Sequence, residues 1–317
     1  MPTESDRTRV NIAGLELRNP VVLAAGTAGT LDEMSDAFPL ARIGAVVTKS
    51  ITPEPREGND AWRVSPVKAG MLNAIGLANP GIDAFVNDHA PRIPAVGTPV
   101  IASAAGFTPA DYAAVCRGFA PIDSIAAVEM NVSCPNTEHK IDIGADPGLL
   151  AEAVAAAKRE AGARPLIVKL PPISIGTPHT IVDLARAAVD AGADALTLCN
   201  TTPAMAIDVE TKRPRLANRH GGLSGPAVHP IAVRLIDLVY RELAKERGVP
   251  IMGLGGVLTW DDAAQFVLAG ANAVQVGTAS FVHPRRALRI AAGLEKWTRR
   301  ENASIADLAG AVDGVRR

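Results

Sequence analysis

The apolar run "AAVEMNVS" (126–133) stops at Ser133, and Cys134, Pro135 and Asn136 follow at once. A thiol in that place is either a small buried hydrophobe or a reactive group that a strand presents to a ligand. The side-chain amides Asn131 and Asn136 on either side favour the second use. An unperturbed thiol titrates near pH ~8.5, so a modest downward shift makes Cys134 a base near neutrality. Other apolar runs end in the same polar way. Lys49 and Ser50 close one, Lys169 another, Asn200 and Thr201 a third, and Ser103 lies near the end of a fourth. Lysines suit an anionic group, and amides both donate and accept, so the ligand implied is flat, polar and partly anionic.

Glycines add a second theme. "GLGGV" (253–257) contains Gly255 and Gly256, and "VGT" (276–278) contains Gly277 and Thr278, each at the end of an apolar run. Glycine lets backbone N–H groups approach a phosphate without a Cβ in the way. A phosphate anchor without a dinucleotide fingerprint points to FMN or pyridoxal phosphate lying across the site. Lys49 or Lys169 could be the Schiff-base lysine of the second, and Lys169, at the end of "LIVKL", could equally be the cation beside the flavin ring of the first. The thiol favours FMN, because C–H removal beside a flavin needs a base on the other face of the substrate.

Eight Val-, Ile- and Leu-rich runs carry these residues: 20–26, 45–50, 99–106, 126–133, 165–171, 194–201, 250–256 and 273–279. The first ends in Ala25 and Gly26. Helix-period segments lie between the runs, at 146–163, 180–193 and 259–271, the last opening on an N-cap threonine and an acidic first turn. Strands alternating with helices mean a parallel sheet. Eight repeats predict a closed TIM (β/α)8 barrel with its site at the C-terminal strand ends. An open doubly wound sheet is the rival, but no GxGxxG follows the first run. No Ser-, Gly- or Pro-rich linker divides residues 1–317, which predicts a single domain. A short N-terminal piece (9–18) and insertions at about 51–97 and 202–229 stand outside the repeat, and such insertions are usually lids or interfaces.

The chain of 317 residues is 48% hydrophobic with 3% aromatics, so its core must be aliphatic. Lys plus Arg (32) nearly cancels Asp plus Glu (33), leaving no general field for nucleic acid or anionic membrane. No apolar run nears the roughly 18 residues of a membrane span, and "MPTESDRTRV" lacks a secretory pattern. Cys116, Cys134 and Cys199 are too scattered for a disulfide framework, and six histidines show no metal-binding spacing. A cytoplasmic protein with reduced thiols, no metal and no membrane or nucleic-acid partner is expected.

Five motifs, "MLNAIGLANPG" (71–81), "NVSCPN" (131–136), "VKLPP" (168–172), "GGLSGPA" (221–227) and "GLGGV" (253–257), occur in the order found in the class 1 dihydroorotate dehydrogenases. The sequence resembles that family over nearly its whole length, most closely the NAD-linked class 1B catalytic subunit. The resemblance implies an FMN-binding TIM barrel that oxidises (S)-dihydroorotate to orotate in pyrimidine biosynthesis. It gives Cys134 the C5 proton and flavin the C6 hydride. Asn73, Asn131, Asn136 and Asn200, with Thr201, match residues that hold orotate. Ala74, Ile75, Gly76 and Leu77 line it, and Lys49 bridges substrate and flavin. Ala25, Gly26, Ser50, Ser103, Asn131, Lys169, Cys199 and Gly225 match flavin contacts, with Gly255, Gly256, Gly277 and Thr278 at the phosphate. It also implies a homodimer core joined by an iron–sulfur, FAD-containing subunit, a heterotetramer that passes electrons to NAD. The sequence departs from the family at Ala25 (often Ser), Ser103 (often Asn) and Cys199 (often β-branched), and in the loop 137–148, which lacks a glycine-rich stretch.

Plainer readings stand beside these. Cys116 and Cys199 read as core residues, Asn73 as a turn former, His139 as a solvated loop residue, and Lys169 as half of a structural ion pair. A related FMN barrel acting on another dihydropyrimidine or enoyl substrate, a non-catalytic ligand-binding barrel and a pyridoxal phosphate barrel are the alternative functions.

Overall fold

The computed structural model describes residues 7–132, 143–172 and 178–312. Eight short parallel strands close into a barrel in chain order. They are β1 (Val21–Leu23), β2 (Ala45–Val47), β3 (Val100–Ala104), β4 (Ile125–Asn131), β5 (Leu166–Leu170), β6 (Ala195–Leu198), β7 (Ile251–Leu254) and β8 (Ala273–Val276). β8 pairs with β1 to complete the ring. Each strand falls on one of the eight predicted runs, β4 starting one residue early, and Asn131 and Lys169 lie within their strands while Lys49, Asn200 and Thr201 lie just beyond theirs. β1, β2, β3 and β5 are buried along their whole length, as strands covered on both faces require. The fold is a TIM barrel.

The polar ends remain tied to the barrel. Beyond β6 the Cys199 N–H donates to Leu254 O at 2.9 Å and the Asn200 N–H to Leu170 O at 3.0 Å. Beyond β2 the Ile51 N–H donates to Ser103 O at 2.8 Å. Site residues therefore sit on extensions of a rigid ladder rather than on free loops.

Six helices of eight or more residues wrap the strands: α1 (Pro109–Phe119), α2 (Pro147–Glu160), α3 (Ile181–Asp190), α4 (His229–Val239), α5 (Trp260–Leu268) and α6 (Arg286–Glu301). Those predicted at 146–163, 180–193 and 259–271 are α2, α3 and α5. α1, α3 and α5 each begin with a capping box, Thr108 with Asp111, Thr180 with Asp183 and Thr259 with Asp262. In each box the threonine hydroxyl and the aspartate satisfy N–H groups that the first turn leaves unpaired. α6 buries Ala287, Ile290, Leu294 and Trp297, one helical stripe against the barrel. Between β1 and β2 the crossover is made of two short helical turns, Glu33–Asp36 and Leu40–Arg42. The N-terminal piece is an antiparallel hairpin, Val10–Ile12 with Leu15–Leu17, leading into β1.

The two insertions meet. Val64–Val67 and Gly70–Asn73 from the first join Thr202–Ala204 and Gly221–Ser224 from the second in one four-stranded antiparallel sheet. Leu72, Ala74 and Leu216 give this sheet a small core of its own. Gly222 is needed at the seam, because a Cβ there would overlap the Thr201 hydroxyl. The first insertion then returns to the barrel through an irregular helical stretch over 82–95, where Phe85 packs edge-on against Phe119 of α1 with ring centroids 5.5 Å apart.

Candidate active site at the barrel mouth

A cavity opens at the C-terminal ends of the strands, under the four-stranded sheet. Its floor and walls come from the strand ends: Ala25 and Gly26 after β1, Lys49 and Ser50 after β2, Asn131 of β4, Lys169 of β5, and Cys199, Asn200 and Thr201 after β6. Gly255 and Gly256 after β7 and Gly277 and Thr278 after β8 complete the ring. The sheet above contributes Asn73, and the turn following it adds Ile75, Gly76 and Leu77, while Gly225 closes the side. Residues from nearly 260 positions of chain thus converge as the strand-end reading expects.

Side-chain amides form the centre. Asn200 Nδ2 donates to Asn131 Oδ1 at 2.9 Å, and Asn131 Nδ2 donates to Ser50 Oγ at 3.2 Å. Asn200 Oδ1 accepts from the Thr201 N–H at 2.8 Å, which fixes the sense of that amide. The Asn131 carbonyl accepts from the Tyr112 hydroxyl at 2.9 Å, anchoring the end of β4 to α1. Across the cavity Asn73 Nδ2 donates to Gly222 O at 3.1 Å, stitching the sheet at the point where it faces the barrel. Asn73 is therefore part of a strand seam and also of the cavity wall.

Lys49 packs beside Gly26: a Cβ on that glycine would lie 3.4 Å from Lys49 Nζ. Lys169 is only 6% exposed. It lies opposite Asn131 on one side and Thr197 on the other. Among the described residues Lys169 has no carboxylate within ion-pair distance, so the structural ion pair considered for it is not formed there. Cys199 lies close by, and burial pushes its thiol up to about 12 against a smaller opposing pull from Lys169. Cys116 is likewise pushed up to about 12, by burial first and Glu160 second. Both are the core cysteines that their apolar neighbours predict, although Cys199 also touches the cavity.

The glycine loops are shaped by close approach. Gly256 has φ +71°, and a Cβ there would stand 2.6 Å from Gly225 O and 2.9 Å from His229 N. His229 Nδ1 bonds Gly255 O at 3.0 Å, so the first residue of α4 holds the loop after β7. At Gly277 a Cβ would meet nothing nearer than Thr27 Cγ2 at 3.5 Å, leaving open space on the cavity side. This cradle of glycine backbone, with two lysines in the same cavity lining, fits a phosphorylated ring cofactor.

Two expected residues stand back from the cavity. Ala74 is buried in the small core of the sheet, and Ser103 lies beneath Ser50, with their hydroxyl oxygens 2.9 Å apart. Ser133, Cys134, Asn136 and His139 lie outside the described residues. Sequence reasoning passed over a polar layer inside the barrel. Thr197 Oγ1 donates to Glu129 Oε2 at 2.8 Å, and Gln275 Nε2 donates to the same oxygen at 2.5 Å and to Thr197 Oγ1 at 3.2 Å. The signal was available, since "VEMN" sets Glu129 two residues before Asn131, on the same face of β4. Among the described residues no group of three His, Cys, Asp or Glu is placed to hold a metal ion, and no helix is long and apolar enough to cross a membrane.

Barrel, roofed mouth and amide cluster define a (β/α)8-barrel protein with a candidate ligand site at its C-terminal strand ends. The dihydroorotate dehydrogenase family model matches residues 7–297, and the chain belongs to that family. It is 48% identical to the "dihydroorotate dehydrogenase B (NAD(+)), catalytic subunit" of Trichlorobacter lovleyi, over 96% of this chain and 98% of that one. Proteins of the same description from Pelobacter propionicus and Geobacter sulfurreducens are 46% and 47% identical, each over 96% of this chain and 98% and 97% of their own.

Proposed function

We propose that this chain is an FMN-dependent dihydroorotate dehydrogenase, oxidising (S)-dihydroorotate to orotate in pyrimidine biosynthesis. The carrying observation is the single cavity that joins the Asn131–Asn200 amide pair, Lys49, Lys169 and the bare loops at Gly255–Gly256 and Gly277–Thr278. FMN, when bound, supplies the acceptor for the hydride leaving C6. The loops after β7 and β8, with Gly225, would hold its phosphate, and Lys169 its ring. Ala25, Gly26 and Ser50 complete the cofactor side, with Ser103 acting through Ser50.

The substrate side is a set of amides. Asn73, Asn131, Asn136 and Asn200 present both donors and acceptors to an imide edge and a carboxylate. Lys49 adds a cation, Thr201 a hydroxyl, and the backbone over 75–77 a wall against water. The C5 proton needs a base. Burial holds Cys116 and Cys199 up at about 12, which leaves each of them a protonated thiol near neutrality. The family resemblance assigns that proton to Cys134, the remaining cysteine, three positions after Asn131 at the end of β4. C5 and C6 thereby lose one proton and one hydride, and the C5–C6 double bond forms.

The chain works as one flavin-binding unit in the cytoplasm, as a homodimer core. An iron–sulfur, FAD-containing subunit carries the electrons to NAD. The relatives' description as catalytic subunits and their NAD(+) designation support a separate partner subunit and NAD as acceptor. The test is spectroscopic. Purified protein should show flavin absorbance, and anaerobic dihydroorotate should bleach it. A flavin that stays oxidised overturns the reading. Cys134→Ala bleaching at the wild-type rate would remove Cys134 from its role as base.

A further inference from the structure

β4 is an apolar strand with one ionisable residue in its middle. Glu129 is 0% exposed, and among the described residues it is the one buried carboxyl group as Lys169 is the one buried amine. Their placement is linked. Asn131 is the register partner of Lys169, and Glu129 lies two residues below Asn131 on the same face. The carboxyl group is thus one pleat beneath the lysine on the adjoining strand, with Cα atoms about 8 Å apart by ordinary sheet spacing. Barrel interiors are normally filled by branched apolar side chains, so a polar layer here is a costly choice for packing alone.

The layer is asymmetric in its hydrogen bonds. Thr197 and Gln275 both donate to Glu129 Oε2, and Gln275 also donates to the Thr197 oxygen. Among the described residues Glu129 Oε1 and Gln275 Oε1 have no partner. The described contacts therefore leave two buried oxygens over. Gln275 is also part of the cavity lining, which places the layer directly below the mouth.

We propose that Glu129 is a positioning residue that sets the charge beneath the cofactor. It is the counter-charge to Lys169 and holds down the reduction potential of the flavin bound above. This rests on the reading of the mouth as a flavin site. Reduction places negative charge on the ring. Lys169 favours that change, and a carboxylate one layer down opposes it. The balance keeps the reduced ring ready to give its electrons to the next acceptor. Through a protein interior the field of one charge over this distance changes such an equilibrium by about tenfold.

The experiment measures the orotate-to-dihydroorotate ratio at which the bound flavin is half reduced, in wild type, Glu129→Gln and Thr197→Val. Glu129→Gln keeps an acceptor for both donors and removes only the charge. Its ratio should rise about tenfold, which is about 30 mV for a two-electron couple. Thr197→Val keeps the carboxylate and removes one donor, so its ratio should fall. Thermal midpoints and flavin content confirm that each variant is folded and loaded, a structural role alone leaving the ratio unmoved. A wild-type ratio in Glu129→Gln, or a rise in Thr197→Val, overturns the proposal. Should Glu129→Gln not fold, Thr197→Val decides by itself, and an unchanged ratio overturns the proposal. Wild-type protein without flavin overturns the functional reading, and this proposal with it.

Discussion

Replacing Gly256 by alanine tests the cofactor cradle at its tightest point. The backbone there has φ +71°, a left-handed conformation that costs an L-residue about 1–2 kcal/mol. The new Cβ would lie 2.6 Å from Gly225 O and 2.9 Å from His229 N, both backbone atoms. Relief needs a shift of the loop after β7 against the first turn of α4, an overpacking cost of about 1–3 kcal/mol. Alanine recovers about 0.4–1 kcal/mol by restricting the unfolded chain. The net is about 1–5 kcal/mol of stability, lodged in the loop that would carry the phosphate, and displacement of that loop should weaken FMN binding roughly tenfold. Gly277→Ala is the contrast, because its Cβ would meet only ordinary contacts at 3.5 Å or more. Gly277→Ala should melt with the wild type while binding FMN more weakly, and Gly256→Ala should lose both stability and affinity. Titration of apo-protein with FMN, followed by flavin fluorescence, reads the affinities, and calorimetry reads the melting. Wild-type FMN affinity in Gly256→Ala would refute the reasoning from close approach.

Asn200→Ala removes the donor to Asn131 Oδ1 and the acceptor of the Thr201 N–H, and should lower kcat/KM for dihydroorotate about tenfold to hundredfold with flavin content unchanged. Phe119→Ala, at a fully buried ring edge-on to Phe85, should cost about 3–5 kcal/mol in urea unfolding without altering FMN affinity in the folded protein. Acid should weaken the helix starts. Backbone and hydroxyl hydrogen bonds from Thr180 hold the Asp183 carboxyl below the ordinary carboxylate range, and those from Ser304, which caps the short helix Ile305–Leu308, do the same for Asp307. Their contribution is complete above the unfolded value of about 3.9 and is lost as pH falls through the lower native values. Urea midpoints measured from pH 7 to pH 3 should show this loss beginning below about pH 4, and a midpoint unchanged at pH 3 would contradict it.

The barrel was legible because its strands are largely buried on both faces, so each appears as a mainly apolar run. The polar residue closing each run marked the mouth, which is why Lys49, Asn131, Lys169 and Asn200 could be placed from the sequence. The roof was less legible. Its strands are three or four residues long, and "VSPV" (64–67) contains a proline that only an edge strand accepts. Their pairing depends on contacts across chain distances that local pattern does not encode. Ala74 and Ser103 show a similar limit. A motif gives the neighbourhood of a residue, whereas only the backbone path decides that Ala74 turns into the small core and Ser103 lies under Ser50. Glu129 escaped because one charge inside an apolar strand reads as a blemish until its partners on β6 and β8 are seen.

The roof has a consequence for how the chain is made. Asn73 bonds to Gly222 across 149 positions, and Ser224 to Met71 across 153. Early strands of the barrel can pair with neighbours soon after synthesis, but the roof waits until the chain past Ser224 is available. A nascent chain carrying β1 to β5 therefore has lysines and amides at its strand ends with no cover over them. The ability to retain a cofactor arrives late and all at once, as closure of such long loops demands. For the flavin site proposed above, capture of the cofactor would come only after the roof has closed.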